Sequence, residues 1–181
     1  MKTLTIAMAL LASCGAHAQH AHDHAVHHTH AQTSTASPYA GMQDRTIKAL
    51  SAQQMADLRA GKGMSLALPA ELNGYPGPSH VLELADRLGL SDAQRAATER
   101  LFDEMKKEAG ALGERLIASE AALDRLFRER RATASSVDDA ASNIAHIQGA
   151  LRAAHLRYHL HMMEVLEPGQ VAEYAKLRGY R

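Results

Sequence analysis

The sequence predicts an all-α fold, a long antiparallel helical hairpin with short flanking helices. Three observations predict it. From Ser79 onward, apolar residues recur three and four apart over long stretches, the spacing that lines one face of a helix. Helix-start signals precede those stretches, with Ser91 followed three residues later by Gln94, as in a capping box. The Val/Ile alternation of strands is missing. Aromatics make up only 4% of the chain and Trp is absent, which suits thin packing built from Ala, Leu and Met.

The chain of 181 residues and zero formal net charge fits one domain with appendages. Balanced charge excludes the basic excess by which nucleic-acid binders show themselves. Residues 1–18 read as an export signal: Lys2, the apolar run "LTIAMALLA", and "AHA" before Gln19. That run is too short to span a bilayer. A second reading takes "LASC" as a lipobox, with Cys14 lipidated and heading the mature chain. Either route sends the product out of the cytoplasm, to a periplasm. Cys14 is the only cysteine, so no disulfide and no internal thiolate is expected.

Residues 19–37 form a leader with few large apolar side chains and are expected to be disordered. Within it, "HAHDHAVHHTH" carries His20, His22, His24, His27, His28 and His30. Six imidazoles on a flexible stretch can collect a borderline ion at modest affinity. The other reading is a polar spacer whose charge rises as pH falls toward 6.5.

Residues 38–78 hold short helices and turns. Leu50, Ser51 and Gln54 open a helix that stops at Gly61. "NGYPGP" then marks a turn. The segment 79–181 is the hairpin. "SHVLELADRLG" reads as a helix closed by Gly89. Leu90, Ser91 and Gln94 open the first long arm, with a seam through Met105, Ala109, Leu112, Leu116, Ser119, Leu123 and Leu126. Some forty residues at ~1.5 Å each span roughly 60 Å. Gly110 and Gly113 inside that arm mark a bend or a close helix contact. "RRATASSVDDA" is the turn, with Ser135 or Ser136 as the next cap. The second arm carries Ile144, Ile147, Leu151, Ala154, Tyr158 and Val165 on one stripe. It ends at "LEPGQ", where Pro168 starts a last helix.

A five-residue pattern recurs as "LSAQQ", "LSDAQ" and "LEPGQ", the last placing Leu166 and Gln170. In an exported, Cys-poor, all-helical chain, this resembles the CpxP/Spy family of periplasmic proteins, whose signature is a repeated Leu-Thr-x-x-Gln. The family includes the chaperones CpxP and Spy, the zinc-associated ZraP and the nickel/cobalt sensor CnrX. The resemblance covers residues 79–178. Ser replaces Thr in two copies and Glu167 in the third. It implies a hooked hairpin, a curved homodimer and a concave face that holds unfolded clients without ATP. Arg115, Arg125, Arg128, Arg130, Arg131, Arg152 and Arg157 either frame that face or are ordinary solvated charges.

A second histidine cluster lies in "HLRYHLHMMEVL". His155, His159 and Met163 recur every four residues and share one helix face. Two imidazoles and a thioether suit a divalent transition metal (Cu, Ni, Co or Zn); Met162 and Met163 as core filler is the plainer reading. The sensor branch implies added ligands from the facing helix. Here those are His80, Glu83 and Glu99, and none falls in the sensor's spacing. Two functions follow as expectations: a stress chaperone or adaptor, and a heavy-metal sensor or resistance protein signalling to a membrane-bound regulator. An enzyme is not expected, for no Ser/His/Asp order appears and "NGYPGP" lacks the strand that a phosphate loop needs.

Overall fold

The computed structural model describes residues 37–180. The export segment 1–18, Cys14 and the tract His20–His30 lie outside the described residues. From Ser37 onward the chain forms a single compact unit. Among the described residues it is all-helical, with no strands. The elements are a 3-10 turn at Met42–Asp44, α1 (Ala52–Arg59), α2 (Leu68–Glu71), α3 (Pro78–Glu83), α4 (Asp92–Arg128), α5 (Ala134–Val165) and α6 (Pro168–Leu177). No helix among them is long and apolar enough to cross a membrane.

α4 and α5 are the expected hairpin arms and pack along each other. The α4 seam buries Met105, Ala109, Leu116 and also Ile117. The α5 stripe buries Ile144, Ile147, Leu151, Ala154 and Tyr158. Toward the turn the seam becomes polar, and Asn143 Nδ2 donates to Ser119 Oγ at 2.9 Å.

The helix starts are set by side chains. Ser51 with Gln54 and Ser91 with Gln94 form reciprocal capping boxes. The start of α5 differs from expectation. Thr133, not Ser135 or Ser136, is the N-cap, and Ser136 is its box partner. The turn before it is tight, with Arg130 left-handed at φ 54°, so the chain can re-enter a helix only after an extended Thr133. α3 is also shorter than expected. It ends at Glu83, and residues 84–89 continue as turns to the left-handed Gly89.

Two copies of the repeated pattern meet in space. Gln94 Nε2 donates to Gln170 Oε1 at 2.8 Å and to the Val165 carbonyl at 3.0 Å. Gln170 Nε2 donates back to Gln94 Oε1 at 3.1 Å and to the Leu88 carbonyl at 3.3 Å. Each Oε1 also accepts the N–H of its own helix cap, Ser91 or Glu167. The two amides thus close a ring that joins the starts of α4 and α6. A glutamate could cap either helix but could not donate. Around them Val81, Leu88, Met162, Leu166 and Tyr174 form a second apolar cluster.

The small residues of α4 explain the docking of α1. A Cβ on Gly113 would collide with the Leu58 carbonyl oxygen, and one on Gly110 would lie 3.0 Å from that of Arg59. The glycines mark a close helix contact. In an open helix Gly→Ala stabilises by about 1 kcal/mol. Here Gly113→Ala should instead destabilise by about 1–3 kcal/mol through overpacking, read by urea unfolding of the full chain; a gain in stability would refute the contact.

Candidate functional site

The segment between α1 and α3 carries few large side chains that could form a core of its own, and it lies against α5 and α6. "MSLALPAEL" has one charge, Glu71. Its carboxylate is buried, at 6% exposure, and a buried charge needs partners. Most of them come from the far end of the chain. Tyr174 and Tyr180 hydroxyls donate to Glu71 Oε1 at 2.5 and 3.0 Å. His80 Nδ1 and Arg178 Nε stand 3.3 and 3.6 Å from the same oxygen. Burial, then the hydrogen bond to the charged Glu71, push the Tyr174 hydroxyl far above its ordinary value. It therefore remains a donor at any physiological pH.

Glu71 Oε2 is buried and has no hydrogen-bond partner. It faces His159, whose Nδ1 lies 3.8 Å away. That nitrogen is 2.7 Å from the Tyr75 carbonyl. A carbonyl only accepts, so Nδ1 carries a proton and donates it there. The ring fits because residue 77 is glycine: a Cβ there would stand 2.8 Å from His159 Cε1. One turn back, His155 is 2% exposed and its Nε2 is also buried without a partner. These groups line a cavity of about 350 Å³ that also takes in His80 and Met105. Its rim includes Met64 and Ser65, both left-handed at φ 43° and 64°.

His155 and His159 reach the cavity together, but Met163 is 39% exposed and is not among the lining residues. Its neighbour Met162 is fully buried in the second cluster. Two thioethers lie at the cavity, Met105 from the opposite arm and Met64 from its rim. Of the facing-helix candidates, only His80 lies at the cavity; Glu83 and Glu99 are exposed. Among the described residues no three of His, Cys, Asp and Glu are grouped so that they could hold a metal ion. Glu71 went unnoticed in the sequence. The available signal was a single acid inside an apolar run.

The repeat residues have structural positions. Leu50 and Leu90 are half-buried, Leu166 is buried, and the glutamines of the second and third copies form the ring described above. Comparison with protein-family models, with curated proteins and with solved structures finds no match.

Burial, then the neighbouring His159, hold the His155 pKa below its ordinary 6.5, with Glu108 opposing. The folded state therefore favours neutral His155, while the unfolded chain takes up the proton near 6.5. This contribution is complete above that pH and is lost as pH falls toward the folded value. The unfolding midpoint should drop between pH 7.5 and 5.5, and drop less in His155→Leu. Equal slopes for the two proteins would remove His155 as a source.

Proposed function

We propose that the chain is an exported, ATP-independent holding chaperone or adaptor of the CpxP/Spy type that works as a homodimer and binds partly folded clients. The observation that carries this reading is apolar surface at one end of the hairpin. Leu72 is 58% and Leu160 54% exposed, with Leu68, Met64, Tyr75 and Met163 also uncovered. They belong to the α2 region and the end of α5, which the His159–Tyr75 hydrogen bond holds together. Exposed apolar side chains that lie side by side mark an interaction site. Of the seven arginines, Arg128, Arg131 and Arg157 have acidic partners. Arg115, Arg125, Arg130 and Arg152 are exposed and make no ion pair among the described residues, so their stems and charges are available to a client. The reading is one of binding rather than catalysis. Export rests on residues 1–18, or on a lipid anchor at Cys14.

A second reading, an ion-responsive adaptor to a membrane-bound regulator, is favoured by a separate observation. His155 and His159 stand behind the same segment that displays Leu72 and Tyr75. A ligand taken up at these histidines would be linked to that surface.

Full-length protein at stoichiometric amounts should suppress aggregation of a thermally unfolding client. Leu72→Lys/Leu160→Lys should lose most of that activity. Both positions are exposed, so stability should change by only about 0.5 kcal/mol per site. Phe127→Lys, at the far end of α4, should stay active. No suppression by the wild type at any ratio, or none lost in the double variant, would overturn the reading.

A further inference from the structure

The groups left open at the cavity share one chemical character. Glu71 Oε2 is a buried acceptor without a donor. His159 Nδ1–H is committed to the Tyr75 carbonyl, which leaves Nε2 as the ring nitrogen open to a ligand. His155 Nε2 is buried and unpartnered. Met105, 7% exposed, adds a thioether from α4. A carboxylate and two imidazoles gathered around one cavity suit a cation. The two histidines are four apart on one helix face, the spacing by which a helix presents two imidazoles to a single ion. His159 is also oriented as metal-binding histidines are, with its other ring nitrogen held by a backbone carbonyl and a carboxylate close behind.

The donor set selects the ion. Among the described residues no three of His, Cys, Asp and Glu are grouped to hold a metal, so the multi-carboxylate or thiolate cages that divalent ions favour are not built here. Two imidazoles and a thioether suit a soft ion of low coordination number. We infer that His155 and His159 of α5, with Met105 of the facing α4, form a binding site for one monovalent soft metal ion, copper(I). Glu71 is the positioning residue. Its carboxylate stands behind His159 and offsets the ion's charge.

The site needs no change in Met163, and this separates it from the cluster that sequence spacing suggests. It also differs in kind from the tract His20–His30, which contains no sulfur. The inference deepens the ion-responsive reading and rests on it. Its test reads the ligands of the ion directly, so its failure is told apart from a failure of client holding.

The experiment is X-ray absorption at the copper edge on full-length protein loaded anaerobically with less than one equivalent of copper(I). The expected result is a sulfur neighbour beside nitrogen in the wild type, retained in Met163→Leu and lost in Met105→Leu, a change that conserves volume. A competing chelator should also extract copper(I) more readily from Met105→Leu and from His155→Gln than from Met163→Leu. No sulfur neighbour in the wild type, sulfur persisting in Met105→Leu, or sulfur lost in Met163→Leu would each overturn the assignment.

Discussion

Glu71 is a carboxylate taken out of water, and the fold of the hairpin's base follows from what that carboxylate requires. Two phenols, an imidazole and a guanidinium converge on one of its oxygens. They arrive from α3, α6 and the residues after α6, while Glu71 itself ends α2. Removing one partner of a buried charge typically costs about 3–5 kcal/mol. The cluster is therefore an all-or-none arrangement in which each segment holds the others. It explains why the irregular stretch from Met64 to Pro78 lies against α5, and why Gly77 can approach His159 so closely.

The same requirement leaves one oxygen over. Oε1 is saturated, whereas Oε2 meets no donor. In a packed interior such a group is uncommon, and here it borders a cavity rather than tight packing. The ring of Gln94 and Gln170 is the contrasting case: every amide hydrogen-bonding group in it has a partner. One polar cluster is closed and holds the ends of the helices. The other is open and faces a cavity beneath exposed apolar side chains. This contrast is the reason the proposed function is set at the base of the hairpin rather than along its arms.

Much of the fold was legible because its causes are local. Caps at Ser51 and Ser91, the seam from Met105 to Leu126 and the stripe from Ile144 to Tyr158 depend on neighbours a few residues away. Thr133 was missed as a cap because three hydroxyl residues stand within four positions, and only the left-handed Arg130 decides among them. The site was less legible. Glu71 meets partners more than a hundred residues distant, and no periodicity reports such a meeting. Met163 misled for a geometric reason. At about 100° per residue, eight residues overshoot two turns by roughly 80°, whereas seven fall only about 20° short. Met162 therefore points inward and Met163 outward. Met105 could not be chosen from sequence, since its place opposite His155 depends on the register of the two arms.

In the proposed function the base of the hairpin is the surface that meets clients. Amide hydrogen exchange of the full-length protein, with and without a stoichiometric unfolding client, tests this most directly. The account predicts slowed exchange in residues 64–77 and in 156–166, with residues 124–138 at the turn unchanged. Slowing confined to the turn, or no slowing anywhere while the client is held in solution, would contradict it.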